Sequence, residues 1–494
     1  MISQKIRKLD NFELEENPRQ IDFREWHRLF QKVPEELVEN TRYFRDLPNA
    51  EWSQYLFPPS THVVSGNRLL RKLKFDNSLA SLRLWGFVMS EGERIYRAKQ
   101  AGKKVIAVMG DLGAVTPLVY SFPNTVAFYP DCLWWTPFMM ESKVLFDEAA
   151  KFGLGEDCCF VRAALGAYSK KAYFPKPDLC IGTVGATCDD MNAVMSEVEF
   201  LGYDIHYFEL PHRHDKPQDV KRLKVFLSGQ YEGLSAKLEH VTGHEFDLTR
   251  FEETISKVNR MRGAISDLKG MLGGAGSPLD SCVRRNDGRG SRRIDRRNAM
   301  GGIEMLNVEF APLSYYGDLD ECIDVIEDVR DTVKSRQTRS VGYPDQDIRL
   351  VWVTPPADPQ LMNYIEGLGG MIVGSEYLIN QTTPQILENG DPFDSLAESH
   401  LSGSLMGSMG YRTQLVIDQI EKSNAEGVII SGVFGSSHCP YETTPIVDAV
   451  RKKGIPVLAI DVVAPGKIMM QSQIFNRMEA FMESLKAARR YRGG

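Results

Sequence analysis

Short apolar runs alternate with longer segments whose apolar residues fall at helical spacing, and the alternation begins near Lys103. KKVIAVM (103–109) has the continuous apolar character of a buried strand, and so do 125–129, 179–184 and 204–208. Between them, helical patterns start at Pro137, at Cys158 and at Asp189. Strand and helix in regular succession predict a doubly wound α/β unit. A second alternation starts near Arg349, with RLVWVT, GGMIVG, GVIISGVFG and IPVLAID as strands and IFNRMEAFMESLKAARR as the closing helix. The two units share a pattern without sharing a detectable sequence repeat. A long helical region, 219–272, lies between them, broken at Phe246-Asp247-Leu248-Thr249, where a new N-cap is available. Ahead of the first unit the pattern is helical: Trp26, Leu29, Phe30, Val33 and Leu37 suggest amphipathic turns, and 80–102 resembles one helix stopped by Gly102. The chain thus divides into a helical N-terminal extension (1–102), a first α/β lobe (103–215), a helical linker region (216–347) and a second α/β lobe with a C-terminal helix (348–494).

One stretch stands apart. Residues 270–302 are glycine-rich and carry seven arginines against three aspartates. An arginine-rich nucleic-acid arm would look like this, but a solvated loop insertion is the simpler expectation, because long surface loops are tolerated at little cost. Cys282 within it is then an incidental thiol.

Composition narrows the setting. At 494 residues the chain has length for about three domains, with 43% hydrophobic residues and a net charge of −7. Nothing global points to nucleic acid or an anionic membrane surface. The first twenty residues lack the apolar core of a signal peptide. No apolar run approaches the ~20 residues of a membrane span. Eight cysteines in such a chain fall short of a disulfide scaffold, so a reducing, cytoplasmic location is expected.

Three of those cysteines share a placement. In PDLCIGTVGATCDDMNAV (177–194) a strand ends in a Gly-Ala-Thr turn and Cys188 opens a helix. Cys158, in GLGEDCCFVRAALGAY, lies near a helix start, and Cys439 follows the Gly-Ser-Ser turn after GVIISGVFG. In open parallel sheets ligands bind beyond the carboxyl ends of the strands. Three thiolates there suit zinc, redox chemistry or an iron–sulfur cluster. The close Cys-x2-Cys pairs of zinc sites and the ferredoxin spacing are both absent. The other cysteines read as packing: Cys180 inside a strand, Cys322 on an amphipathic helix, Cys132 in core or cavity lining. Cys159 neighbours Cys158, and adjacent helical residues point about 100° apart, so only one of the two is expected at a shared site.

At these residues the chain resembles the family of 2-hydroxyacyl-CoA dehydratases and benzoyl-CoA reductases. CCFVRAALGAY is similar to its Cys-x-(Phe/Tyr)-x-Arg segment, with Cys158 in the ligand position; ATCDDM resembles its Thr-Cys-Asp motif, giving Cys188; SSHCPYETTPIVDAVRKKGIPVLAID resembles its third cysteine segment, giving Cys439. ELP, TGHEFDLTRFEETISKVNRMR and RMEAFMESL add to the match, which runs from about Lys103 to Leu485. The resemblance implies two flavodoxin-like lobes around a [4Fe-4S] cluster held by Cys158, Cys188 and Cys439. It also implies a related cluster-binding subunit as partner, an acyl-CoA substrate and an ATP-dependent activator that delivers single electrons. The chain has no GxxxxGK[ST] phosphate loop, so the ATP chemistry would belong to the activator.

Acid–base candidates follow from the same placement. His438 adjoins Cys439 and either donates a proton or caps the turn. His212 and His214 end the first lobe and are expected to be solvated. Arg162 either offsets cluster or thioester charge or bridges locally. Glu141 and Asp189 are expected to cap helices, Trp134 and Trp135 to pack, and Gly110 and Gly113 to form a tight turn near the cleft. The function expected is the iron–sulfur subunit of a CoA-thioester reductase or dehydratase. The alternatives are a double-cubane [8Fe-9S] cluster reductase of the same family and a non-catalytic paralogous partner subunit.

Overall fold

The computed structural model describes residues 17–34, 37, 72–110, 113–134, 143–156, 158–171, 174–185, 188–211, 217–273, 298–343, 346–354, 359–377, 384–433, 436, 438–462 and 468–492. Cys282 and most of the arginine-rich stretch, Trp135, Glu141, His212 and His214 lie outside them, as do the side chains of Trp134, His438 and Cys439.

The first lobe is built on β3 (Lys104–Met109), β4 (Thr125–Phe128), β5 (Leu179–Gly185) and β6 (Ile205–Leu210), after β1 (Gln20–Asp22) and β2 (Lys74–Asp76) of the N-terminal extension. Its four strands are parallel in the order β4-β3-β5-β6. The second lobe uses β7 (Ile348–Val353), β8 (Gly370–Glu376), β9 (Gly427–Val433) and β10 (Val457–Val462), also parallel, in the order β10-β9-β7-β8. Counted along the chain, both sheets have the order 2-1-3-4, the flavodoxin-like arrangement, so the repeated sequence pattern is a repeated topology. Buried parallel strands need apolar side chains on both faces; all of β7 and all but the first residue of β3 are buried.

Helices cover the sheets. In chain order they are α1 (Phe23–Phe30), α2 (Leu79–Met89), α3 (Glu91–Gln100), α4 (Thr116–Tyr120), α5 (Lys143–Ala149), α6 (Arg162–Lys170) and α7 (Asp189–Phe200). The linker supplies α8 (Pro217–Thr242), α9 (Leu248–Gly273), α10 (Gly302–Ser314) and α11 (Leu319–Thr338). The second lobe adds α12 (Gln360–Gly367), α13 (Pro392–Leu401), α14 (Met409–Ser423), α15 (His438–Lys452) and α16 (Ile468–Arg492). The break expected at 246–249 is real: the Asp247 carboxylate accepts from the backbone N–H groups of Thr249 and Arg250, capping α9.

Two expectations for the first hundred residues need correction. The segment 80–102 is two helices, not one: at Ser90 the backbone leaves the helical region (φ −99°, ψ 9°), and the Ser90 hydroxyl donates to Gly86 O at 2.7 Å. The extension is also not purely helical, since β1 and β2 pair antiparallel. That small sheet docks on the second lobe: Gln20 Nε2 donates to Glu366 Oε2 at 2.6 Å, and the Lys74 N–H donates to Asn363 Oδ1 at 2.8 Å. Trp26, Phe30, Val33 and Leu37 are buried as the pattern predicted.

The linker joins the lobes physically. Tyr231 on α8 approaches Ala114 O of the first lobe at 3.3 Å and His400 Nδ1 on α13 at 3.0 Å. Lys269 on α9 donates to Glu309 on α10 at 3.0 Å and to the Ser375 hydroxyl on β8 at 3.0 Å. No helix among the described residues is long and apolar enough to cross a membrane.

Candidate functional site

Both sheets reverse their direction of sequence order beside their first strand, between β3 and β5 in one lobe and between β7 and β9 in the other. The crevice outside the carboxyl ends at such a reversal is the favoured ligand site of open α/β sheets. Cys188 follows β5 and Cys439 follows β9, so each stands after the third strand of its lobe, at the reversal.

Cys188 is placed by its neighbours. β5 ends at Gly185, whose φ is +96° and where a Cβ would lie 2.2 Å from Leu210 O, so only glycine fits this turn. Cys188 is the extended N-cap residue of α7 (φ −151°, ψ 121°), and buried Met191, Val194 and Val198 hold that helix on the sheet. The Cys188 thiol is half-buried. A hydrogen bond from Cys159 holds it below the ordinary thiol range; burial opposes this, and the backbone N–H groups of Met191 and Asp190 reinforce it. A sulfur that receives donors from a helix start is prepared to carry negative charge.

Cys158 and Cys159 occupy the turn before α6, not the helix itself: the Arg162 N–H donates to Cys159 O at 3.2 Å and the Ala163 N–H to Phe160 O at 3.0 Å. Cys158 is half-buried and Cys159 is buried. The Cys159 N–H donates to Asp190 Oδ2 at 2.9 Å. Among the described residues, Cys159 Sγ, Cys188 Sγ and a carboxylate oxygen of Asp190 lie within 4.8 Å of one another. Cys158 is outside that trio.

Arg162 underpins this turn. It is 3% exposed, and its Nη1 donates to the carbonyl oxygens of Cys158 and, at 3.2 Å, of Cys159. Its guanidinium carbon sits 4.6 Å from the centre of the Phe146 ring, a cation–π contact. Of the two roles expected for it, local bridging is therefore present, and its positive charge stands beside both cysteines.

The remaining sequence candidates sort cleanly. Cys180 is buried in β5, 3.5 Å from Tyr168 Oη, and burial pushes its thiol up to about 12. Burial likewise pushes Cys322 and Cys132 well above the ordinary thiol range. All three stay protonated at neutral pH and behave as packing. Asp189 is exposed, and the cap position belongs to Cys188. Gly110 and Gly113 both take left-handed backbone, with φ +80° and +86°, and a Cβ at Gly113 would lie 2.5 Å from Pro312 O on α10. Asp190 was missed; two acids at a helix start read as dipole complements, and which one turns inward depends on the distant Cys159 turn.

A cavity of about 590 Å³ opens beside the carboxyl end of β8, lined in part by Lys269, Ser375, Glu376, Ser402, Ser404 and Tyr411. Around the cysteines, soft sulfur donors with N–H and S–H groups directed at one of them suit an iron–sulfur cluster, which is anionic and is tuned by such hydrogen bonds.

The family described as 2-hydroxyglutaryl-CoA dehydratase, D-component, matches residues 135–485. The match begins after β4, later than the Lys103 start expected from the sequence, and spans Cys158, Cys188 and Cys439. None of the curated proteins matches the chain.

Proposed function

Because the chain belongs to the 2-hydroxyglutaryl-CoA dehydratase D-component family, we propose that it is the iron–sulfur subunit of a complex that dehydrates a 2-hydroxyacyl-CoA or reduces an aromatic acyl-CoA. The observation that carries this is the matched placement of Cys188 and Cys439 after the third strand of each lobe, with the Cys158–Cys159 turn packed against the first. Cys158, Cys188 and Cys439 are the proposed ligands of a [4Fe-4S] cluster. Cys158 and Cys188 are half-buried, as ligands bordering a crevice must be. Cys159, buried and hydrogen-bonded to Cys188, serves as a donor to the ligand sulfur.

When bound, the cluster supplies low-potential single electrons and a Lewis-acidic iron. The chain's own residues prepare the place. Arg162 offsets negative charge beside the Cys158 turn, and the first N–H groups of α7 do so at Cys188. His438, at the start of α15 beside Cys439, is the proposed proton donor to the substrate. The cavity at the end of β8 offers volume for part of a CoA thioester. Electrons would come from a separate ATP-dependent activator, and a related cluster-binding subunit would complete the complex. A cytoplasmic location fits oxygen-sensitive chemistry of this kind.

Anaerobic purification with iron and sulfide quantification tests the proposal. About four irons per chain are expected for one cubane, and Cys188→Ser should remove most of them. Twice the iron would favour the double-cubane alternative, whereas an iron-free protein with all thiols free would overturn both. Thermal stabilisation by 2-hydroxyacyl-CoA against aryl-CoA then separates dehydration from ring reduction.

A further inference from the structure

We propose that Arg412 is a positioning residue that locks the first turn of α15, and with it Cys439, to the carboxyl ends of β7 and β8. The proposal rests on the cluster assignment of Cys439 and adds a residue that no motif in the sequence pointed to.

Arg412 lies in the first turn of α14 and is 1% exposed. Its Nε and Nη2 donate to Glu376 Oε2, the last residue of β8, at 3.1 and 2.8 Å. Its Nη2 also reaches Thr354 Oγ1, just past β7, at 3.2 Å. Its Nη1 donates to Glu442 Oε2 on α15. One guanidinium thus ties four elements together at the end of the sheet where Cys439 stands, and Glu442 is three residues beyond that cysteine.

Stability alone does not account for this arrangement. Two buried carboxylates share one cation, and Glu376 Oε1 is buried with no hydrogen-bond partner among the described residues. Buried ion pairs of this kind contribute little net stability against apolar packing, but they do fix geometry. Thr354 adds strain, since a β-branched residue at φ +62° sits in the left-handed region. Its N–H donates to Glu376 O at 2.8 Å, which helps hold it there. The equivalent turn after β3 uses glycine, Gly110, whose N–H donates to the Asp131 carboxylate at 2.8 Å. The second lobe therefore accepts a strained residue where the first has an unstrained one, and its extra hydroxyl reaches Arg412.

The first turn of α15 needs such a tie. Pro445 lies inside the helix and has no N–H for the carbonyl four residues earlier. In the first lobe the corresponding task falls to Asp190, two residues after Cys188, which grips the Cys159 N–H. In the second it falls to Glu442, gripped by Arg412.

The test uses the full chain with Glu442→Gln, which cuts the leg to α15 and spares the Arg412–Glu376 pair, and Arg412→Lys, which keeps the charge and loses the fork. Hydrogen exchange of peptides covering the first turn of α15, in metal-free protein, should rise on the order of tenfold or more, as expected for loss of a charge-assisted hydrogen bond. Iron retained through gel filtration after anaerobic loading should fall below that of the parent chain. If Arg412→Lys does not fold, Glu442→Gln carries the test. Unchanged exchange, or raised exchange with unchanged iron retention, would overturn the proposal. Cys439→Ser separates the two layers: full iron retention in that variant removes Cys439 as a ligand and with it the positioning role. Iron loss there beside a parent-like Glu442→Gln removes the role of Arg412 alone.

Discussion

The backbone N–H of Cys159 donates to the Asp190 carboxylate at 2.9 Å, joining the turn before α6 to the first turn of α7. Thirty-one residues separate the two in sequence, and this bond brings the Cys158–Cys159 pair alongside Cys188. Two thiol-bearing turns from different crossovers of one sheet thereby form one site.

The proposed cluster assigns different tasks to neighbouring thiols. Cys158→Ser and Cys188→Ser should each lose most of their iron. Cys159→Ala should retain it but show a more negative reduction potential, because a hydrogen bond to a ligand sulfur stabilises the reduced, more negative cluster. Iron analysis with redox-titrated electron paramagnetic resonance checks this; iron loss in Cys159→Ala would make Cys159 a ligand instead.

Arg162→Met removes the donor from the carbonyl oxygens of Cys158 and Cys159. Leaving buried acceptors unpaired costs about 1–3 kcal/mol, so the urea midpoint of the metal-free protein should fall accordingly. Arg162→Lys, which retains charge and one donor direction, should recover part of the loss.

A pH dependence follows from the docking of the N-terminal extension. Glu304 accepts from the Asp76 N–H at 2.8 Å and from Trp85 Nε1 at 3.1 Å, and burial together with the Asp76 charge pushes its carboxyl up to about 8. Burial pushes Glu366 up to about 7, although the Gly302 N–H and Gln20 donate to it. Both folded values exceed the ordinary 4.5, so folding retains protons that the unfolded chain releases. Their contribution is fully present below about pH 4.5 and is lost as pH rises through 7 to 8. Burial alone would raise Asp76, but Arg336 outweighs it and lowers its carboxyl, so Asp76 acts only at more acidic pH. Denaturation midpoints should decline between pH 5 and pH 8, and Glu304→Gln should flatten most of that slope.

Gly113→Ala should lower the melting temperature sharply. The left-handed backbone alone costs about 1–3 kcal/mol for a non-glycine residue, and the new Cβ would press on Pro312 O and on Leu313 Cα, 2.9 Å away. Gly102→Ala, where φ is +80° with open space around it, should show the backbone cost without the clash, so comparing the two isolates the packing contribution.

Local chemistry made much of this protein legible. KVIAVM and RLVWV declare themselves because a strand covered on both faces must be apolar throughout, and Asp247 declares a helix start because its carboxylate can serve N–H groups two and three residues on. The placement of Cys158, Cys188 and Cys439 at or near helix starts belongs to this class as well. Strands β1 and β2 escaped notice, since three-residue strands more than fifty residues apart leave no local periodicity. The break at Ser90 escaped too, although Ser90 and Glu93 have the spacing of a capping box.

The sequence by itself determined which segments become the parallel strands of the two lobes, and that thiols would stand beyond the carboxyl ends of such strands, because burial pattern and turn chemistry are properties of neighbouring residues. Only the tertiary structure decided that both sheets share one strand order, that Cys159 rather than Cys158 meets Cys188 and Asp190, and that Arg412 ties Glu376, Thr354 and Glu442 together. Those outcomes depend on side chains far apart in the chain meeting in a low-dielectric interior, where each buried charge and N–H must find a partner.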